Sequence, residues 1–386
     1  MKTNILLVVL FLGLLLNGCG SEDTSTTESS GIYVDNPEYG VYQEEPAPPF
    51  SFEHVDTITP EFTDDFILSG FNQMLTDPEG NIYFMDSRQS KLLSLNSEGN
   101  LRWMTGEEGR GPGDFESAYS MITDGDQLYV GNLQGSRLDV FNYEGDFQKS
   151  YNLAEKVSFG TLWGFLSGGE IVMAAPNWDS WGPHIHIVEI EGDTIRTTQD
   201  FTIDQSGDIE TIQGMTSRSS ISVYANRIYT GSIIDYSIEV HDTSGTLTRK
   251  IRRDFDRIVR PGMYSDGGSS TIRGFGKVEA PQFLPNEYFI VQAIWPTNVN
   301  DPDRYTRLSN NGTAPELEYA HSIDIFNPEG QLLYSFEGEG FTPKIGEIAH
   351  IDENGIIYTT GMDEEAPIIK KYRLVLNDEY QERIDW

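Results

Sequence analysis

The sequence predicts an all-β fold, a six-bladed β-propeller with four-stranded antiparallel blades. A pair of β-branched or aromatic residues recurs six times at intervals of roughly 45 to 70 residues, a length typical of propeller blades. The pairs are Ile82-Tyr83, Leu128-Tyr129, Ile171-Val172, Ile228-Tyr229, Tyr288-Phe289 and Ile357-Tyr358. Five are followed by a turn that ends in glycine: Glu98-Gly99, Glu144-Gly145, Glu191-Gly192, Ser244-Gly245 and Glu329-Gly330.

The first unit shows how a blade is assembled. Its strands are expected at residues 72–76, 82–86, 91–96 and 101–105, from the central channel outward. Counting back from each turn glycine places an aliphatic residue at one position of the third strand: Leu92, Leu138, Ile185, Ile238 and Ile323. Two residues later stand Ser94, Val140, Ile187, Val240 and Ile325. This period of two predicts a strand with one buried face.

The sixth unit lacks a closing turn, since only residues 377–386 follow its third strand. Residues 50–58 are strand-like but have no blade of their own. We therefore expect residues 50–58 to supply the outer strand of the sixth blade. Joining the two chain ends in this way leaves no exposed sheet edge.

The first 18 residues predict a signal peptide, because Lys2 precedes an apolar run too short to span a bilayer. Cys19 directly follows this segment and is the single cysteine, so no intramolecular disulfide can form. The segment resembles the lipobox of bacterial lipoproteins. This resemblance implies that Cys19 becomes the lipidated first residue of an outer-membrane lipoprotein, on the periplasmic or the outer surface.

Residues 19–49 are rich in Ser, Thr, Glu and Pro and almost lack aliphatic residues. Such a composition buries too little apolar surface to fold and predicts a disordered tether. Residues 50–386 remain for the propeller. The acidic pair Glu22-Asp23 resembles signals that send some Bacteroidota lipoproteins to the outer surface.

The formal net charge is -35. A surface of this charge repels nucleic-acid phosphates and anionic lipid headgroups, which excludes nucleic-acid binding. We expect a monomer that contacts the membrane through its lipid anchor alone. The charge itself is interpreted as a solubility feature of a saline habitat, with cation capture as the alternative.

Residues 109–115, with the sequence Gly-Arg-Gly-Pro-Gly-Asp-Phe, form a glycine-rich link between the first two blades. The stretch resembles the Gly-x-Gly-Pro-Gly-Glu-Phe motif of the six-bladed NHL-like propellers found in Bacteroidota lipoproteins. The resemblance covers about residues 50–376 and implies a fold but no activity. No phosphate-loop ending accompanies the glycines, so they predict a tight bend. Arg110 is expected either to face a ligand or to pair with Asp114.

The long insertions predict a working face. Loops between strands two and three, and between blades, leave a propeller on one side, and function is common in such variable loops. The predicted insertions are residues 174–184, 204–217, 254–274 and 293–321. Aromatic residues and arginines concentrate there, which suits a glycan, small-molecule or protein ligand. The candidate ligand-binding residues are Arg110, Trp178, Trp181, Arg273, Trp295, Arg304 and Tyr305; the alternative is that they only pack the loops onto the blades.

The histidines favour no zinc site. His184 and His186 have the spacing that places two ligands on one face of a strand. However, the turn alignment puts His186 at the position of Asp139, Glu239 and Asp324 in other blades. His241 likewise occupies an ordinary sheet position.

A metal in the central channel is the alternative that implies catalysis. Lactonase-like six-bladed enzymes hold a divalent ion there, and the inner strands of this chain offer Asn72, Glu347 and His350. Calcium could bind such oxygen-rich surroundings without catalysis. No cofactor is firmly predicted, and no nucleophile motif is present.

Three functions follow from the sequence. The first is a lipid-anchored extracytoplasmic propeller that binds a ligand or partner protein on the face with the long loops. The second is a metal-dependent hydrolase or lyase acting at the central channel. The third is a scaffold subunit of an envelope complex.

Overall fold

Six β-sheets follow one another along the chain in a computed structural model, as the blades of a propeller. The structure describes residues 31–60, 73–86, 89–132, 136–153, 161–176, 183–203, 220–266, 269–337, 345–363 and 366–386. Residues Ile32–Trp386 form one unit. The predicted six-bladed, mainly four-stranded architecture is confirmed.

The strands have the following bounds. The first three blades are β3–β6 (Met74–Thr76, Ile82–Asp86, Lys91–Leu95, Leu101–Thr105), β7–β10 (Ala118–Thr123, Gln127–Asn132, Arg137–Asn142, Phe147–Asn152) and β11–β14 (Thr161–Phe165, Ile171–Pro176, Pro183–Glu191, Thr194–Thr202). The fourth and fifth are β15–β18 (Ile221–Tyr224, Arg227–Thr230, Ser237–His241, Leu247–Arg253) and β21–β25 (Lys277–Val278, Gln282–Phe283, Phe289–Pro296, Tyr319–Phe326, Leu332–Glu337). The sixth consists of β26–β28 (Glu347–Ile351, Ile356–Asp363, Ala366–Leu376) and β2 (Phe50–Ile58).

Among the described residues, four elements lie outside this pattern. They are strand β1 (Tyr33–Asn36), the hairpin β19–β20 (Gly262–Asp266, Ser269–Arg273), helix α1 (Pro302–Asn310) and a 3-10 helix (Asp378–Tyr380). Within the described part of the chain, no helix is long and apolar enough to cross a membrane.

The turns between the third and fourth strands of the first, second, fourth and fifth blades share one hydrogen-bonding pattern. The Asn96 Oδ1 atom accepts hydrogen bonds from the Glu98 and Asn100 backbone amides at 3.1 and 2.8 Å. Gly99 has a φ of 95°, a conformation that favours glycine. Asn142, Asp242 and Asn327 accept the same bond from the residue four places on. The recurring glycine therefore marks a tight turn that needs no insertion.

The ring closes as predicted. Strand β2 pairs antiparallel with β28, from Phe50 opposite Leu376 to Ile58 opposite Ile369. The Phe50 side chain is fully buried, and its ring centroid lies 5.0 Å from that of Trp386. The N-terminal strand and the C-terminal residues thus share one hydrophobic core, which ties the two chain ends together.

The predicted tether is wrong over the part that the structure describes. Strand β1 adds to the fourth blade in parallel with β18, and the Val41 amide then bonds to the Leu332 carbonyl of β25 at 3.1 Å. Asn36 is buried, and its amide group bonds to Leu332 N at 2.7 Å and Gly330 O at 3.0 Å. Residues 32–49 are therefore a strap across the fourth and fifth blades. Backbone and amide hydrogen bonds hold this strap, so its poor aliphatic content does not prevent it from ordering.

Two predicted insertions are shorter than expected. Residues 174–176 and 183–184 extend β12 and β13, while residues 293–296 and 319–321 extend β23 and β24. Trp295 consequently lies in a strand and not in a loop. The prediction ended the strand soon after the recurring pair Tyr288-Phe289 and so put Trp295 in a loop, whereas the strand continues to Pro296.

The hydrophobic core lies between neighbouring blades. Phe289 and Phe326, both fully or almost fully buried, stack with centroids 5.1 Å apart on the side of the fifth blade that meets the fourth. Equivalent clusters join the other neighbouring blades. Each blade therefore buries apolar side chains on both faces of its sheet, and its inner strand lines the channel.

Candidate functional site

The two long insertions next to the fifth blade fold together as a small module. Hairpin β19–β20 packs on helix α1 so closely that a Cβ atom on Gly262 would overlap the Pro302 carbonyl oxygen and the Thr306 hydroxyl. Asp301 caps the helix by accepting the Arg304 backbone amide at 2.9 Å. Phe275, Val299 and Tyr305 form a separate small core with Val259 and Leu317. We call these elements, residues 259–276 and 297–318, the insert module.

The predicted ligand residues Arg273 and Tyr305 instead pack within this module, where Arg260 also makes an ion pair. Arg260 makes two bonds to the Asp303 carboxylate, at 3.1 and 2.9 Å. Arg273 bonds to Ser309 and lies 5.5 Å above the ring of Tyr305, which is only 7% exposed. For these side chains the structure favours the packing interpretation.

Trp295 is also an internal residue. Its side chain is buried, and the indole meets Phe255 edge to face at 5.0 Å. The Arg257 guanidinium lies 5.1 Å above the indole and bonds to Glu337 at 2.9 Å. Little indole surface remains for a ligand.

Arg304 and Arg307 remain exposed on α1. Their spacing of three residues puts them on one side of the helix. No carboxylate of the described chain lies within ion-pair distance of either. Tyr319, at the start of β24, is 42% exposed; burial raises its pKa while the nearby Arg273 lowers it. We call Arg304, Arg307 and Tyr319 the insert surface.

The glycine-rich link between the first two blades is a tight bend, as predicted. The Asp114 carboxylate accepts the Gly111 amide at 3.1 Å, and Phe115 is fully buried. Arg110 pairs with Glu116 at 2.6 Å, and not with Asp114, which was one of the two alternatives predicted for it. Its side chain is 84% exposed, so it stays available at the surface.

Three predicted residues lie outside the described residues: Trp178, Trp181 and Asn72. The same holds for Cys19 and the signal segment. Their roles stay predictions.

Glu347 lies beside a small cavity of about 120 Å3 between the fifth and sixth blades. Other lining residues are Lys277, Glu279, Gln292 and His321. Lys277 and Glu279 form an ion pair. Burial lowers the pKa of His321, while the charge of Glu347 raises it. The cavity wall therefore carries one lysine and two glutamates around a largely apolar surface.

His350 lies in a different cavity, the central channel, of about 540 Å3. Its Nε2 atom is 3.0 Å from the Thr76 hydroxyl, and burial lowers the pKa of the imidazole to about 4. Strands of the first, fourth, fifth and sixth blades contribute to the channel wall. Because Glu347 and His350 line separate cavities, the structure does not assemble the channel metal site that the sequence suggested from them.

One group of described residues does have metal-ligand geometry. His184, His186 and Asp200 each offer a ligand atom, and these atoms all lie within 4.8 Å of one another. The two imidazoles stack at 4.4 Å, and His184 Nε2 is 3.3 Å from Asp200 Oδ2. The sequence indicated both histidines but not Asp200. Asp200 stands opposite His186, but a bulge in the β13–β14 pairing shifts the register, so counting residues from the turn does not pair the two.

The position of His186 is polar in several blades, as the turn alignment predicted. The opposed residues on the third and fourth strands are Asp139 with Ser150, Glu239 with Lys250, and Asp324 with Ser335. In each of these pairs a donor on the outer strand bonds to a buried carboxylate. The third blade reverses the arrangement, with imidazoles on β13 and the carboxylate on β14.

The sequence matches no known family profile and no curated protein. Solved structures show the fold. A candidate exported protein from Bacteroides fragilis matches with a TM-score of 0.56 and 8% identity, over 90% of this chain and 100% of that chain. A member of the DUF4221 family from Bacteroides vulgatus matches with a TM-score of 0.52 and 12% identity, over 85% and 99%. At these identities the likeness extends to the propeller fold alone.

Proposed function

We propose that this protein is an extracytoplasmic lipoprotein whose propeller binds a carboxylate-bearing ligand through the insert surface. The observation that carries the proposal is the pair Arg304 and Arg307, exposed side by side on a helix that the propeller itself does not need. Arginine forks suit carboxylates, and the exposed Tyr319 ring adds a flat contact.

The module gives these side chains a rigid base. Gly262 has no side chain and so lets the hairpin lie directly against α1. Arg260 pairs with Asp303 of the helix, and Tyr305 is buried in the small core of the module. The packing roles of the buried residues therefore support a binding role for the exposed ones. On a chain with a net charge of -35, unpaired arginines attract an anion that the rest of the surface repels.

The binding proposal is tested with an array of acidic and neutral oligosaccharides and peptides. We expect binding to acidic members only, and a loss of about tenfold or more in the double variant Arg304→Glu/Arg307→Glu. Arg373→Glu changes an exposed arginine on β28 and is the matched control. Binding that survives in the double variant, or an array without any ligand, would overturn the proposal.

The anchor is tested separately by mass spectrometry of the mature protein from its native membrane. We expect a chain that begins at Cys19 and carries acyl groups, since several chains on one residue give firm anchoring. Cys19→Ser should release the protein from the membrane fraction. Protease treatment of intact cells then distinguishes outer-surface from periplasmic placement.

A further inference from the structure

A cavity of about 380 Å3 lies between the fourth and fifth blades and opens to solvent on the side of the propeller that carries the short turns. Tyr229, Val240 and Arg249 form one wall, because they stand opposite one another on β16, β17 and β18. The facing wall comes from the fifth blade, with Phe283, Glu287 and Pro328. This volume lies in the usual range of small-molecule sites.

Two guanidinium groups line this cavity. Arg249 is half-buried and donates to the Pro328 carbonyl at 3.0 Å, and Arg227 is exposed at the rim. In the part of the chain that the structure describes, neither has a carboxylate within ion-pair distance. Both nevertheless act on the Tyr229 hydroxyl, since their charges oppose the rise in its pKa that burial causes.

A flat aromatic wall separates the cavity from the central channel. The rings of Tyr224 and Phe283 stack in parallel, with centroids 4.0 Å apart and an interplanar angle of 7°. Both residues line the interblade cavity and the channel cavity. Tyr229 meets Phe283 edge to face at 4.8 Å, which holds the stack in place.

Tight turns border this wall. Ala225 and Asn226 have φ values of 47° and 57°, as a type I′ turn requires in the two-residue hairpin between β15 and β16, and Glu287 has a φ of 68°. Ala225 and Glu287 both line the cavity.

From these observations we infer that the cavity is a binding site for a small aromatic carboxylate. The Arg227 and Arg249 guanidiniums would bind the carboxylate, and the Tyr224–Phe283 stack would contact the ring. Arginine forks match a planar carboxylate in geometry. Glu287 and the acidic surface disfavour a dianion such as a phosphate more strongly than a monoanion, because the repulsion grows with ligand charge.

The test uses phenylacetate as the probe and isothermal titration of the whole mature protein. We expect saturable binding of phenylacetate, binding of phenyl phosphate and neutral phenylacetamide that is about tenfold weaker or more, and weakening by salt. Arg227→Ala should weaken phenylacetate binding about tenfold, and Arg249→Gln should act in the same direction. Arg227→Ala is the more direct test of ligand binding, because no hydrogen bond of the described structure uses the Arg227 side chain, whereas Arg249 also bonds to Pro328.

Arg373→Ala is the control for a general loss of positive charge, and thermal unfolding confirms that each variant is folded. Equal binding of phenylacetamide, phenylacetate binding that survives both arginine changes, or no saturation by about 10 mM phenylacetate would each overturn the inference. Stronger binding of phenyl phosphate would also overturn it, in favour of a phosphate site. The cavity and the insert surface share no residue, so failure of one proposal leaves the other standing.

Discussion

Arg253 and Asp324 form an ion pair that is completely buried between the fourth and fifth blades. The Nη1 and Oδ2 atoms are 3.0 Å apart, and neither side chain is exposed. Arg253 also donates to Glu337 at 2.6 Å and to the Glu38 carbonyl of the strap at 2.7 Å. One arginine of β18 thus joins two blades and the N-terminal strap.

Removal of this guanidinium should be severe. We expect Arg253→Ala to lower the free energy of unfolding by about 3 to 5 kcal/mol, because Asp324 is left as an unpaired buried charge. Urea unfolding measures the change. Arg196→Ala, which breaks an exposed pair with Glu189, should cost less than about 1 kcal/mol. Similar losses in both variants would contradict the prediction.

The strap should contribute to stability despite its composition. We expect Asn36→Ala to cost about 2 to 3 kcal/mol, because it leaves the Leu332 amide and the Gly330 carbonyl without their buried partner. Val41→Ala, at a side chain that is 52% exposed in the same strap, is the matched control. Thermal and urea unfolding give the comparison. Equal stability of the two variants would mean that the Asn36 hydrogen bonds contribute no net stability.

His350 should make the protein less stable in acid. Its folded pKa of about 4 lies below the usual value of 6.5, so the unfolded chain binds a proton first as the pH falls. Stability is therefore complete above about pH 6.5 and is lost progressively down to about pH 4, by about 2 to 3 kcal/mol. The ring faces Thr76 and Tyr358, and burial causes the shift.

Urea unfolding of His350→Gln against pH checks this assignment, because glutamine can bond to Thr76 but does not titrate. The variant should lose the part of the slope that His350 contributes, about 2 to 3 kcal/mol between pH 6.5 and pH 4, while His321 and the paired carboxylates keep the rest. His54→Gln, at an exposed histidine, should keep the slope. An unchanged slope in the His350 variant would assign the acid sensitivity to another group.

The group of His184, His186 and Asp200 should bind Zn2+. Two imidazoles and a carboxylate are suitable ligands, and a fourth position would stay open to water. The ligand atoms must close from separations of up to 4.8 Å to about 3.3 Å around a zinc ion. Isothermal titration of metal-free protein measures the affinity.

We expect Asp200→Asn and His184→Gln each to weaken zinc binding by more than about tenfold, since even changes behind a ligand have effects of that size. His54→Gln is the control. If Asp200→Asn and His184→Gln bind zinc as well as the control does, the three residues are not zinc ligands. They would then be a polar contact of the kind found in the second, fourth and fifth blades.

The blade pattern could be predicted because it is local. Strands at residues 82–86 and 101–105 were predicted to the residue, and residues 50–58 were assigned to the sixth blade because they had no other partner. The strap was missed since its bonds use backbone groups and the Asn36 amide, which no hydropathy pattern reveals. Trp295 was misplaced because a loop and a strand that continues past its blade look alike in a single sequence.

The sequence by itself determined the number of blades, the turns and the closing strand, because a period of two and a glycine turn depend on neighbours only a few residues away. Only the tertiary structure decided which side chains meet between blades. Arg253 and Asp324 are 71 residues apart, and Arg249 faces Phe283 and Pro328 across an interblade cavity. Side chains that were expected to bind ligands proved to hold the insert module together. The unpaired arginines became visible only when the fold showed which carboxylates lie near each guanidinium.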